Sequence, residues 1–94
     1  HYFIYRYTNK GKLINKYRYS AFNKTKNRTF EYDSNGYLVK ESAYGYGGRL
    51  LYYYKYEYDS NGNIVEKSVY NLYGRIERKT IYNPDGSVKN EYTY

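Results

Sequence analysis

The sequence predicts an all-β fold: an antiparallel meander of about eight short strands forming one repeat-built, curled, single-layer sheet. Three observations predict it. Nineteen of the 94 residues are Tyr, against two Ala and five Leu. Tyr, Thr, Ile and Val suit a half-buried pleated surface, where an aromatic body packs and a hydroxyl stays wet. One step, Tyr–x3–Gly or Asn–x–aliphatic, recurs seven times along the chain, with only Thr25 breaking the aliphatic rule and only Asn23 replacing Gly. And the residues before each Gly have tight-turn chemistry.

The repeats run in order. They are Tyr7…Gly11…Leu13, Tyr19…Asn23…Thr25, Tyr32…Gly36…Leu38, Tyr44…Gly48…Leu50, Tyr58…Gly62…Ile64, Tyr70…Gly74…Ile76 and Tyr82…Gly86…Val88. The Tyr-to-Tyr spacings are 12, 13, 12, 14, 12 and 12. A three-residue hairpin loop is a type I turn followed by one residue of positive φ, which favours Gly and then Asn. The residue opening such a turn favours Asp, Asn, Ser or Thr; here stand Thr8, Ser20, Asp33, Gly45, Asp59, Asn71 and Asn83. A helix would carry a Gly or Asn about every third turn, at about 1 kcal/mol per Gly.

The loops divide the chain into strands 2–7, 12–19, 25–32, 37–44, 49–58, 63–70, 75–82 and 87–94. Each Tyr before a turn should pair with the aliphatic residue after it, and these pairs fix the register. Simple alternation then puts Lys40, Ser42, Glu66, Ser68, Arg78 and Thr80 on the Tyr face, with Ile14, Val39, Val65, Val69 and Ile81 opposite. The extra residue between Tyr19 and Tyr32 predicts a bulge. Two extra residues between Tyr44 and Tyr58 predict a longer strand that keeps its face. Neither face is apolar enough for the inside of a closed sandwich. Strands 2–7 and 87–94 are then open edges.

Turns alternate between the two ends of the sheet. One end carries Asn9-Lys10-Gly11, Ser34-Asn35-Gly36, Ser60-Asn61-Gly62 and Pro84-Asp85-Gly86. The other carries Ala21-Phe22-Asn23, Tyr46-Gly47-Gly48 and Leu72-Tyr73-Gly74. One rim is polar and the other aromatic.

Residues 1–94 make one β-repeat domain. The chain opens within a strand and contains no Met, so an excerpt or mature form of a longer repeat protein is expected. No apolar run approaches the ~20 residues of a membrane helix.

Glu31-Tyr32-Asp33-Ser34-Asn35-Gly36-Tyr37-Leu38 and Glu57-Tyr58-Asp59-Ser60-Asn61-Gly62-Asn63-Ile64 resemble the YD-repeat motif of the RHS-like family, roughly Tyr-x-Tyr-Asp-x-x-Gly-x-Leu. Asn83–Val88 and Tyr5–Leu13 are weaker copies. The Tyr-x-x-x-Gly-x-Leu step also resembles bacterial MORN-variant repeat proteins, without their Trp. The first resemblance implies a β-strip from a secreted or cell-surface bacterial protein. At 94 residues the chain is too short to close the shell that long YD arrays form, and it lacks their Arg-rich core-end segment. Neither resemblance brings a catalytic residue.

The residues themselves argue against an enzyme and imply no cofactor. There is no Cys, and His1 stands alone at the terminus, too little for a metal site. Asp33 and Asp59 lack the further acids of a calcium loop, so turn capping is the simpler role. Glu41, Glu57, Glu66 and Glu77 sit beside Lys and Arg and read as surface ion pairs rather than paired catalytic carboxylates. Gly45, Gly47 and Gly48 precede no helix and make no phosphate loop.

Partners are then expected at surfaces. Residues 1–30 hold eight basic side chains and no acidic one, while the whole chain has a net charge of +7. Arg6, Lys12, Lys16, Arg18, Lys26 and Arg28 are the candidate contacts there. Phe22, Tyr46, Leu72 and Tyr73 form the aromatic rim. Tyr52, Tyr54 and Tyr56, with Tyr58, form a row on one face. A protein partner, docked at a sheet edge, the rim or the basic third, is the first reading. A polysaccharide or other polyanion on the Tyr row is the alternative. Nucleic acid is disfavoured because the cations alternate with no groove signature.

Overall fold

A computed structural model describes residues 2–8, 10–19 and 26–94. Eight strands follow in chain order: β1 (Tyr2–Tyr7), β2 (Leu13–Tyr19), β3 (Lys26–Tyr32), β4 (Leu38–Tyr44), β5 (Leu50–Tyr58), β6 (Ile64–Asn71), β7 (Ile76–Tyr82) and β8 (Val88–Thr93). They form one sheet in the order β1 to β8, every neighbour antiparallel. The sheet is open and one layer deep, with extents of 41 × 36 × 19 Å.

The turns form as the spacing requires. In the third, the Gly36 N–H donates to the Asp33 carbonyl (3.0 Å) and the Asp33 N–H to the Tyr37 carbonyl (2.9 Å). The Asp33 carboxylate accepts from the N–H groups of Asn35 and Tyr37 at 2.9 and 3.0 Å. Asp59 and Asn71 repeat this capping, and Thr8 does so through its hydroxyl. Gly11, Gly36, Gly48, Gly62, Gly74 and Gly86 all hold positive φ, joined by Gly47 in a short 3-10 turn over Tyr46–Gly48. Asn23 lies outside the described residues.

The predicted pairs Tyr32–Leu38, Tyr58–Ile64, Tyr70–Ile76 and Tyr82–Val88 stand opposite each other. The two irregular spacings resolve differently. β5 is the longest strand at nine residues, as expected. The extra residue between Tyr19 and Tyr32 makes no additional bulge. Tyr19 pairs with Lys26 rather than Thr25, and residues 15–18 face 28–31 in unbroken register.

A second correction concerns the faces. Beside every Tyr–aliphatic pair the register steps by one. Glu31 faces Lys40 while Tyr32 faces Leu38, so Val39 is skipped. The same step recurs in all seven hairpins. A bulge of this kind breaks the simple alternation. Lys40, Ser42, Glu66 and Ser68 share a face with Tyr53 and Lys55, which we call the back. Arg78 and Thr80 face Val69 and Lys67 and lie with Tyr52, Tyr54 and Tyr56 on the front. Tyr32, Tyr58 and Tyr82 thus point forward, while Tyr44 and Tyr70 point back.

There is no conventional core. Among the described residues only Thr29, Ser42, Ala43, Ser68 and Thr80 are buried, and no large side chain is fully buried. These small residues sit on central strands: Ser42 faces Thr29, itself buried, on one side and the large Tyr53 on the other. Ladders of rings and cations hold both faces. Tyr53 stacks on Tyr70 at 4.9 Å, and Lys40 and Lys55 cover these two rings. Such contacts contribute about 0.5–1.5 kcal/mol each.

Candidate binding surface

The front face collects most of the residues the sequence singled out. Tyr52, Tyr54 and Tyr56 project from alternate positions of β5, with ring centres 5.4 and 6.4 Å apart. Strand periodicity alone aligns them. On β6, Lys67 brings its ammonium 4.7 Å from the Tyr54 ring centre and 5.9 Å from that of Tyr56. On β2, Lys16 lies 5.0 Å from the Phe3 ring and 4.7 Å from Phe30. Arg28 pairs with Glu41, its neighbour across β3 and β4. Burial works against the Arg28 charge, but bonding to the Tyr52 hydroxyl and the Glu41 charge raise its pKa above the ordinary value. Burial likewise pushes the Tyr56 hydroxyl up to about 12.

Next to this row a shallow groove of about 550 Å3 crosses β5 to β8. Tyr54, Lys67, Val69, Arg78, Thr80 and Glu91 line it. Its walls combine aromatic surface with charges of both signs. Among the described residues no group of three potential metal ligands converges. Of the four glutamates expected in ion pairs, Glu41 holds Arg28 and Glu66 lies 3.9 Å from Lys79, but Glu57 stands opposite Glu66 and among the described residues neither Glu57 nor Glu77 has a cationic partner. Asp33 and Asp59 cap turns.

The basic third does not form one patch. Lys16 and Arg28 lie on the front. Arg18 donates to the Asn27 side chain at 2.9 Å. Arg6 points to the back, since its neighbour Tyr5 faces Lys16. Lys12 belongs to the polar end, where its ammonium donates to the Ser34 carbonyl at 2.7 Å and straps two turns together. The side chain of Lys26, and Phe22 entirely, lie outside the described residues. Tyr46, Leu72 and Tyr73 stand at the opposite end, on the turns after β4 and β6. Tyr46 is 97% exposed and Tyr73 78%.

Lys67, Phe3 and Phe30 escaped the sequence reading. For Lys67 the reason is the one-residue register step, because simple alternation puts it on the wrong face.

Neither a protein-family model nor a curated protein matches this chain. One solved structure, a GtfA/B complex bound to UDP and GlcNAc, contains a chain with a similar fold. The TM-score is 0.50 at 14% identity, over 92% of this chain and 21% of that one. The chain therefore spans about a fifth of that neighbour's length, and the likeness concerns the open β-meander alone.

Proposed function

We propose that this chain is a non-enzymatic β-repeat scaffold that docks onto a protein partner, as part of a secreted or surface-associated bacterial protein. The absence, among the described residues, of any fully buried large side chain in an eight-stranded sheet carries the reading. A one-layer sheet leaves apolar area on both faces in water, and covering it is favourable by about 25 cal/mol per Å2. Exposed Phe3, Ile4 and Tyr5 on β1 add backbone groups free for strand addition. The YD-like turns support the bacterial, extracellular setting.

Sedimentation and thermal melting of the full chain test this. Alone, it should melt below the ~45–65 °C typical of mesophilic domains. A cognate partner should raise that midpoint in proportion to its concentration. A monomer that melts well above this range and gains nothing from any protein would overturn the proposal.

A second reading, binding of a polysaccharide or another polyanion, is favoured by Lys67 beside Tyr54 and Tyr56. Tyr54→Ala should then weaken retention on an acidic polysaccharide gel, and binding should fall steeply with salt. Salt-independent retention, or none, would count against it.

A further inference from the structure

We propose that the aromatic end of the sheet docks on an anionic lipid bilayer, through the turn tips that carry Tyr46 and Tyr73. The proposal rests on reading the chain as a docking module and names the partner of one of its surfaces.

The two ends of the sheet differ in charge as well as in polarity. All three Asp residues of the chain, Asp33, Asp59 and Asp85, cap turns at the polar end. The turns after β4 and β6 carry no acid. They read Gly45-Tyr46-Gly47-Gly48-Arg49 and Asn71-Leu72-Tyr73-Gly74-Arg75. Each presents an aromatic ring, a positive-φ Gly, then an Arg. The backbone fixes both Arg residues: the Gly45 N–H donates to the Arg49 carbonyl at 2.7 Å, and the Asn71 N–H to the Arg75 carbonyl at 2.9 Å. Among the described residues no carboxylate pairs with either guanidinium.

The rings stand clear of the sheet's packing. Tyr2 stacks on Tyr19, Tyr53 on Tyr70, and Tyr54 packs against Tyr52 and Tyr56, yet Tyr46 is 97% exposed and Tyr73 78%, with Leu72 half-exposed beside it. A Tyr left in water at a loop tip is an amphipathic group of the kind that settles at a membrane interface. Arg at the same depth meets lipid phosphate.

Shape favours a bilayer over a protein. Both tips project from one end of one sheet, two strand spacings apart, or ~10 Å. They are convex. The front-face groove includes no residue of either tip. Two coplanar convex tips can touch a flat, deformable surface together without a matching pair of pockets. Removing one Arg from such a surface lowers partitioning about fivefold.

Vesicle binding of the full chain tests this. The chain has no Trp, so Tyr46→Trp makes a unique reporter. With vesicles containing one-third phosphatidylglycerol its emission should shift to the blue, and with pure phosphatidylcholine it should not. Arg49→Gln with Arg75→Gln should lower partitioning about twenty-five-fold, two arginines at about fivefold each. Asp59→Asn, at the far end, should leave it unchanged. Circular dichroism confirms that each variant folds. Three results would overturn the proposal: no binding to anionic vesicles, binding without a blue shift, or insensitivity to the double Arg variant. An equal blue shift with soluble polyglutamate and no lipid would also overturn it, and would assign the tips to an acidic protein. Failure here leaves the scaffold reading standing. Conversely, a heat-resistant monomer that binds vesicles in this way retains the bilayer contact and removes the incomplete-sheet argument.

Discussion

The Tyr37 hydroxyl fills the space that a side chain at Gly62 would need. A Cβ built on Gly62 would come within 2.6 Å of that oxygen. The two residues belong to neighbouring turns at the polar end, and the Tyr37 ring packs against Tyr58 with centres 5.0 Å apart. Gly62 thus meets two demands at once, a φ of +85° and a close approach.

Gly86 meets only the first. Its φ is +90° and nothing lies within 4 Å of its built Cβ. Gly86→Ala should cost about 1–2 kcal/mol, the strain of a left-handed backbone. Gly62→Ala should cost about 0.5–1.5 kcal/mol more, because Tyr37 must leave its contact with Tyr58. Urea midpoints of both variants check this; equal losses would show that Tyr37 moves aside freely.

Arg28 and Glu41 form a half-buried pair, reinforced at Arg28 by the Tyr52 hydroxyl. Glu31 and Lys40, at 4.0 Å, are more exposed. Glu41→Ala leaves a half-buried guanidinium short of a partner and should cost about 1.5–3 kcal/mol. Glu31→Ala should change stability by less than about 1 kcal/mol. Chemical denaturation separates the two, and the difference should persist in high salt.

The turns were legible in the sequence because their chemistry is local. Positive φ restricts the residue at Gly36 or Gly62, and the capping carboxylates of Asp33 and Asp59 sit three residues before those glycines. Seven such marks set the strand number and place the strand ends closely. The faces were not legible. The skipped positions are Ile14, Asn27, Val39, Leu51, Val65, Glu77 and Lys89. They range from Ile, Val and Leu to Asn, Glu and Lys, and none is Gly, so nothing local announces the register step. The Tyr52–Tyr54–Tyr56 row was readable, since it lies within one strand. Its cation was not, because Lys67 reaches the row only through the register of β5 against β6.

Acid should weaken the turns. The N–H of Asn63, then that of Asn61, holds the Asp59 carboxyl below the usual carboxylate range. The hydroxyl and N–H of Ser87 do the same for Asp85. A depressed folded pKa gives stability that is present above the unfolded value of about 3.9 and is lost as pH falls through the folded value. The melting temperature should therefore drop below about pH 4. Asp59→Asn keeps an acceptor oxygen but cannot titrate, so its profile should be flatter. An identical acid slope in this variant would remove Asp59 from the account.

Base should act on the front face through Tyr56. Burial raises its hydroxyl to about 12, helped by the negative charge of Glu41 and by Tyr54. The folded state therefore holds this proton more tightly than the unfolded chain, whose tyrosines titrate near 10. The resulting stability is fully present below about pH 10 and is lost as pH rises through the folded value near 12. Absorbance at the phenolate band after a rapid pH jump, read before unfolding, should show a late-titrating tyrosine. Tyr56→Phe should abolish that phase and flatten the loss of stability above about pH 10. The same substitution keeps the ring beside Lys67 and Tyr54, so stability at neutral pH should change by less than about 1 kcal/mol. A late phase that survives in Tyr56→Phe would move the buried hydroxyl to another tyrosine and detach this face from the alkaline transition.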